Sequence, residues 1–472
     1  MLVESLLKNT ITPAKAIKPM INLGALLDIP TGDYEFGIHG ESILNGGLGN
    51  ITGIAGIGNN FKSTILHYQA LSAMYKISVS TYTNLSTYDT ESNIHEGRLK
   101  TLAQMFFKDR DIFQEGLWLA TDSTIYSGNA WYEELRKYLA NKISNKKELM
   151  VDYPFLDRDG KTLLRDLIPT FTEIDSLSEF KTDDILEMQD KNQIGESGAN
   201  TLHMRLGLAK TRILMDLPDR VSAAGNRMLI TAHMGKEVPI QQGPIPTPAN
   251  KQLSYLKNND KIVGVGSKFF YSMSNLWHAY NAAPLINTSN RGEEYPEDSN
   301  NPRIDSKDLN RVMLRQLRSK SGKTGITLEL IVSQSQGVLP TLTEFHYIKS
   351  MNRFGLSGNN VNYHLDLYPE LNLTRPTIRS KINSDPKLCR AINITSELLQ
   401  IIEYLPSQKY QDLLCTPNEL YNDLKELGYD WNILLETRGW WTINNDEIDP
   451  PFLSTMDLLR MRKKLYRPFW LK

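Results

Sequence analysis

Up to about Ser350, short apolar runs alternate with longer stretches in which apolar residues recur every three or four positions. Ile51–Ala55, Ser80–Thr87, Leu117–Ala120, Thr170–Ile174 and Met228–Thr231 have the length and residue types of strands. Thr64–Tyr75, Trp131–Ile143 and Thr201–Leu214 have the spacing of helices. This alternation predicts an α/β fold over residues 31–350, with a doubly wound core sheet and a functional edge at the strand C-termini. Residues 1–30 read as a short N-terminal helical segment broken at Pro13 and Pro19. Asn145–Arg165 is charged and without period, which predicts a surface excursion. Over residues 351–472, Pro376, Pro386, Pro406 and Pro417 punctuate short helical candidates such as Asn393–Tyr404 and Pro417–Leu427, so an α-rich C-terminal extension is expected.

The turn after the first strand carries the most specific chemistry. Gly56, Ile57, Gly58, Asn59, Asn60, Phe61, Lys62, Ser63 and Thr64 follow the phosphate-loop template G-x-x-x-x-G-K-S/T, with Phe61 where the second glycine belongs. Such a loop turns backbone N–H groups and a helix N-terminus toward phosphate oxygens. Lys62 would reach the β- and γ-phosphates, and the Ser63 hydroxyl would ligate Mg²⁺. The bland alternative is a Gly/Asn turn before a helix that begins Lys-Ser. Two acidic strand ends weigh against it. Tyr82–Tyr88 leads into Asp89-Thr90-Glu91, and Phe171-Thr172-Glu173-Ile174-Asp175-Ser176 ends a second apolar stretch. Nucleotide hydrolases place one acid on the metal side and another on the attacking water. Strand alternation puts Glu173 and Asp175 on one face, so Glu173 is either a further metal or water partner or a surface acid.

In order and spacing these motifs resemble the RecA superfamily, and within it the phage UvsX-type recombinases, whose loop reads F-K-S. Tyr88-Asp89-Thr90-Glu91 is similar to the family's Y-D-S-E, which implies that Glu91 activates water. Ile174-Asp175-Ser176 is similar to F-I-D-S and implies a metal-side role for Asp175. Ile194-Gly195-Glu196-Ser197 resembles the I-G-D-S of the first DNA-binding loop. Ile230-Thr231-Ala232-His233 lies where the family has its γ-phosphate sensor, with sensor duty on His233 because Ala232 departs from the pattern. Leu317–Lys323 resembles the basic stretch that reaches a neighbouring subunit's nucleotide, which implies roles in trans for Arg318, Lys320 and Lys323. Arg438-Gly439-Trp440-Trp441 is similar to the G-W-Y hairpin near the end of the family's core. The resemblance covers about Ile29 to Phe345. It implies a DNA-dependent ATPase using ATP and Mg²⁺ that forms a homo-oligomeric filament on single-stranded DNA and exchanges strands with double-stranded DNA. The setting implied is phage recombination, repair and replication in the host cell cytoplasm.

Composition narrows rather than decides. The 472 residues carry a net charge of −1, so a polyanion site must be a local basic surface. Lys236–Lys268 is lysine-dotted and rich in Pro and Gly, and Lys236, Lys251, Lys257, Lys261 and Lys268 are its candidate DNA-binding residues; an ordinary surface insertion would look similar. Lys181–Asn200, in contrast, is acid-rich. The basic-aromatic end Arg460–Lys472 suits either single-strand contact or a helix that packs its aromatics on the core. Cys389 and Cys415 lack metal-ligand spacing, and a reduced intracellular setting is expected. No secretory signal or apolar span long enough for a membrane is visible. Two other functions share the same core: a hexameric DnaB-type helicase, which would form a ring, and a non-catalytic mediator with a relic site, for which Phe61 and Ala232 speak.

Overall fold

A computed structural model describes residues 18–78, 82–157, 160–191, 199–236, 254–256, 259–266, 268–289, 291–298, 307–359, 361–405 and 408–471. A small antiparallel hairpin, β1 (Asp33–Phe36) and β2 (Ser42–Asn45), precedes the main sheet. The chain then runs through β3 (Ile51–Gly56), α1 (Lys62–Ser78), β4 (Leu85–Asp89), α2 (Glu96–Gln104), β5 (Trp118–Asp122) and α3 (Gly128–Ser144). A hairpin of β6 (Met150–Leu156) and β7 (Leu163–Leu167) leads to β8 (Thr170–Asp175), α4 (Asp183–Lys191), α5 (Ala199–Ala223) and β9 (Asn226–Lys236). Next come β10 (Asp260–Val263), α6 (Phe269–Ser272), β11 (Asn275–Pro284), β12 (Leu309–Ser319), β13 (Thr327–Ser333), β14 (Gly337–Val338) and α7 (Pro340–Ser350).

The main sheet has the order β14-β13-β12-β11-β3-β9-β8-β4-β5, and β10 pairs with β9. From β11 to β5 the neighbours are parallel, whereas β12, β13 and β14 add an antiparallel wing. The architecture is therefore mixed α/β around a large, mostly parallel sheet. Period-two alternation divides its two faces. Ile54, Leu85, Phe171, Leu229, Val312 and Leu330 pack with Ile65, Leu66 and Met74 of α1. On the other face Ile51, Tyr88, Ile174, Met228 and Ile230 pack with Trp131 and Leu135 of α3 and Leu214 and Leu217 of α5. β3 and β8 are buried along their whole length on both faces, as expected for the middle of a parallel sheet.

Several boundaries differ from expectation. β4 starts at Leu85, not Ser80; Tyr82–Asn84 is polar lead-in, and Thr83 Oγ1 donates to the Pro169 carbonyl. α5 continues past Leu214 and carries Pro218 inside it, a residue that ordinarily ends a helix. Asn145–Arg165 is not a bare excursion. Its hairpin brings Tyr153 and Phe155 against the fully buried Trp441. Residues 18–27 contain no helix. They lie on their own core instead, with Asn22 Nδ2 donating to the Leu44 and Gly46 carbonyls and Tyr68 Oη to the Leu23 carbonyl. The predicted helices of residues 1–17 lie outside the described residues.

Beyond Ser350 the chain forms a three-stranded sheet, β15 (Leu356–Gly358), β16 (Asn362–Leu365) and β17 (Tyr368–Thr374), which the helical pattern did not suggest. Helices follow: α8 (Ile378–Ser384), α9 (Pro386–Tyr404), α10 (Gln408–Gln411), α11 (Pro417–Glu426), α12 (Trp431–Leu435) and α13 (Thr455–Arg462). Between the last two, Trp441, Ile443 and Phe452 return to the main core cluster, and Thr442 Oγ1 bonds the Lys76 carbonyl at 2.6 Å. In the basic-aromatic tail, Tyr466, Trp470 and Leu471 pack on the C-terminal core. Arg460 bonds Gly40 O at 2.7 Å and Ser42 Oγ at 2.8 Å, and Arg462 pairs with Asp423. Packing thus claims these residues, while Lys463, Lys464, Arg467 and Phe469 stay exposed. Among the described residues no helix is long and apolar enough to cross a membrane.

Candidate active site

The C-terminal ends of β3, β4, β8 and β9 meet along one edge of the sheet, and the turn Gly56–Phe61 lies there between β3 and α1. Gly56 is required by close approach, because a Cβ on it would meet Ala279 O of β11 at 2.8 Å. Asn60 is buried and its Nδ2 donates to the same Ala279 carbonyl at 2.8 Å, which ties the turn to the neighbouring strand. Asn59 and Phe61 both have left-handed backbones, with φ 61° and 57°. The glycine of the template thus marks a conformational need, and Phe61 meets it with a bulky side chain partly buried against the core. Ile57, Gly58 and Asn59 are exposed, and a Cβ at Gly58 would touch nothing within 4 Å. The space beside the loop is open.

Lys62, the first residue of α1, is nearly buried and folds back to donate to the Ile57 carbonyl at 2.9 Å. Burial pulls its ammonium below the usual lysine range, while Asp175 and Glu91 oppose that pull. The lysine therefore feels both candidate acids. Ser63 lies exposed in the first turn of α1 and Thr64 is half-buried beside it. Asp175, at the end of β8, accepts a bond from Thr231 Oγ1 of β9 and is 8% exposed.

Glu91 sits just past β4. Its Oε1 is 2.8 Å from His233 Nε2 and accepts from Ser176 Oγ at 3.2 Å. His233 is in turn held by its backbone N–H, which donates to Ser178 Oγ at 2.8 Å. Ser178 also donates to Val263 O at 2.8 Å, and buried Lys210 of α5 donates to Ser178 O and Gly264 O at 2.6 and 2.7 Å. Burial with no bonded carboxylate brings Lys210 down to about 8.

Glu173 takes neither of its expected places. It is fully buried, with Oε2 at 3.0 Å from His67 Nδ1 of α1 and accepting from Thr87 Oγ1 at 2.6 Å. It does share the face of Asp175, but one layer deeper. Burial pushes the His67 imidazole down; Glu173 reverses this, so the net direction is up.

The basic candidates are scattered. Ser319 at the end of β12 pairs with Asn275, which pairs with Thr52 at the start of β3, so the Arg318–Lys323 turn lies at the opposite end of the sheet from Gly56. Four residue steps along β3, from Thr52 to Gly56, separate the two ends by about 13 Å. Arg318, Lys320 and Lys323 are not brought together with this chain's own loop. Instead Arg318 Nε donates to Met273 O at 3.3 Å and Lys320 N to Ser274 O at 3.0 Å. Lys236 and Lys261 are exposed on the β9–β10 hairpin, where Lys236 pairs with Asp260 and Lys261 with Gly235, and Lys268 is exposed ahead of α6. Part of the expected loop is thus an extension of the sheet that leaves it from the loop-bearing edge. Lys251 and Lys257 lie outside the described residues, as does Ile194–Ser197.

No protein-family model matches the chain, and no curated protein matches it. The site therefore rests on its own geometry. That geometry adds residues to which the motifs gave no role. Asp89, 3% exposed, accepts from Glu91 N at 2.8 Å, Asn93 N at 2.6 Å and Ile94 N at 2.8 Å. Thr90 bonds across to Ser176, and Thr231 to Asp175. The available signal was the run of Asp, Thr and Ser at strand ends, residues that cap and close turns through their short side chains.

A magnesium–nucleotide pair fits the donor set. Among the described residues no cluster of His, Cys, Asp and Glu would hold a metal unaided. One hydroxyl and one carboxylate suit a hard cation that takes its remaining ligands from phosphate and water.

Proposed function

We propose that the chain is a DNA-dependent ATPase of the RecA superfamily, resembling the UvsX-type recombinases, that assembles on single-stranded DNA and exchanges strands. The observation that carries this reading is the convergence of Lys62, Asp175, Glu91 and His233 on one glycine-containing turn at the C-terminal edge of a mostly parallel sheet. Lys62 holds phosphate in place of the Ile57 carbonyl, and Ser63 and Asp175 hold the metal side. The metal, when bound, neutralises charge developing on the phosphates. Glu91, already oriented by Ser176 and His233, positions the attacking water. His233 reports the γ-phosphate through that contact. Arg318, Lys320 and Lys323 face away from their own site and serve a neighbouring subunit. The hairpin bearing Lys236 and Lys261, with Lys268 at its base, is the DNA-facing surface.

The test is ATP hydrolysis with and without single-stranded DNA, imaged on the same sample. Hydrolysis raised by DNA together with filaments supports the reading, and rings would move it to the helicase class. Lys62→Ala is expected to abolish nucleotide-dependent DNA binding. Glu91→Ala should keep nucleotide binding and lose on the order of 10²- to 10⁴-fold in turnover. Wild-type turnover by Glu91→Ala would remove Glu91 from the water-positioning role.

A further inference from the structure

Thr90 stands between the two acids and belongs to neither. Its N–H donates to Asp175 O at 2.8 Å. Its hydroxyl accepts from Ser176 N at 2.8 Å and donates to Ser176 O at 2.7 Å. Ser176 is fully buried, so both of its backbone groups need partners inside the protein; the Thr90 hydroxyl meets both, and the carbonyl also accepts from Glu179 N at 3.3 Å. On one side of Thr90 lies Glu91. On the other lie Asp175, whose carbonyl Thr90 holds, and Ser176, whose hydroxyl reaches Glu91 Oε1 at 3.2 Å. Asp89 fixes the same turn from within through its three backbone N–H contacts. Asp89 therefore shapes the turn, whereas Thr90 fastens it to the metal-side strand end.

We infer that Thr90 is a positioning residue that sets Glu91 against Asp175 by clamping the turn after β4 onto the turn after β8. This rests on the ATPase reading above and extends it to a residue that touches neither nucleotide nor metal. A hydroxyl in this place matters for turnover more than for binding, because the phosphate loop that holds the nucleotide lies on other elements. Without the hydroxyl, β4 and β8 remain paired through their ladder and the Thr90 N–H still holds Asp175 O, but Ser176, which reaches Glu91, is no longer tied to the turn after β4.

Steady-state ATP hydrolysis by the full chain in the presence of single-stranded DNA, with affinity for a fluorescent ADP analogue and thermal melting measured alongside, tests the inference. Thr90→Val removes the hydroxyl at nearly constant shape. Thr90→Ala leaves room for water to serve Ser176 and guards against a valine variant that fails to fold. Either is expected to lose on the order of 10- to 100-fold in kcat, with KM for ATP and the analogue's Kd within about twofold of wild type. Thr90→Ser, which keeps the hydroxyl, should restore kcat to within about twofold. Wild-type kcat in the alanine variant, a loss confined to KM and affinity, or failure of serine to restore turnover would overturn the clamp while leaving the ATPase intact. A wild-type chain that binds and hydrolyses no nucleotide would overturn the ATPase reading itself, and the clamp with it.

Discussion

Phe61 holds a backbone conformation that its side chain opposes. At φ 57° the left-handed region costs a non-glycine residue roughly 1–2 kcal/mol. Contact of the ring with the core offsets some of this. The two contributions separate by substitution. Phe61→Ala loses the ring and keeps the strain, whereas Phe61→Gly loses both. The glycine variant is therefore expected to be more stable than the alanine variant by about 1 kcal/mol, the reverse of the usual order. Denaturant unfolding of the two checks this, and an alanine variant equal to or above glycine would mean that the loop relaxes out of the left-handed region. The placement of Lys62, Ser63, Glu91, Asp175 and His233 along one sheet edge was legible in sequence, because each follows or ends a strand at motif spacing. Thr90, Ser178 and Lys210 were not legible, because each acts on backbone atoms of a distant segment, and Asp89 was not, because it holds the backbone of its own turn. Glu173 was misplaced because alternation gives a face but not a depth; the His67 partner that buries it comes from another element.

At the scale of elements, the parallel strands were legible because β3, β8 and the first half of β9 are buried on both faces, rich in β-formers and bounded by turn residues; the edge strand β5 is largely exposed. The antiparallel pairs were harder. β9–β10 and β11–β12 pair across long connections, and the short, partly exposed strands of β6–β7 and of the wing have no distinctive pattern. The β9–β10 hairpin has a functional consequence. Its exposed Lys236 and Lys261 stand on a paired scaffold that leaves the sheet beside His233. A lysine that meets a phosphate releases counterions, so each contact adds roughly 0.7 to the slope of log affinity against log salt on a single strand. Lys236→Gln combined with Lys261→Gln is expected to lower that slope by roughly 1.4 if both meet phosphate. Titration of labelled single-stranded DNA at several salt concentrations measures it. An unchanged slope would assign phosphate contact to another surface, of which the exposed Lys463, Lys464 and Arg467 of the tail are the next candidates.

Across the whole molecule, the N-terminal segment, the core and the C-terminal extension share one buried charge cluster. Asp28 precedes β1, Lys76 lies near the end of α1, Glu344 is on α7, and Arg390 and Glu397 are on α9. Three carboxyls thus gather with two cations, of which Lys76, Glu344 and Arg390 are buried and Asp28 and Glu397 half-buried, and Tyr34 borders them. One carboxyl holding a proton balances the group. At Glu344 burial, and then the neighbouring Glu397, push the carboxyl up to about 8, while Asn393 Nδ2 donates to its Oε1 at 3.2 Å. The sign follows. The folded chain keeps a proton on Glu344 that the unfolded chain releases above the ordinary value of 4.5, so this group's contribution to stability declines as pH rises from 4.5 to about 8 and is level above it. Glu344→Gln has no proton to lose and still accepts from Asn393. Its melting temperature is therefore expected to exceed that of wild type by a margin that widens from pH 5 to pH 8 and then stays constant. A margin that narrows with rising pH would mean that Glu344 is ionised in the folded chain and paired with Lys76. In that case the cluster would hold the extension to the core by charge, and removing Lys76 would weaken the same junction. With the proton in place, apolar contacts such as Trp441 and Ile443 on the main core cluster hold the three segments together, and the charges are accommodated among them.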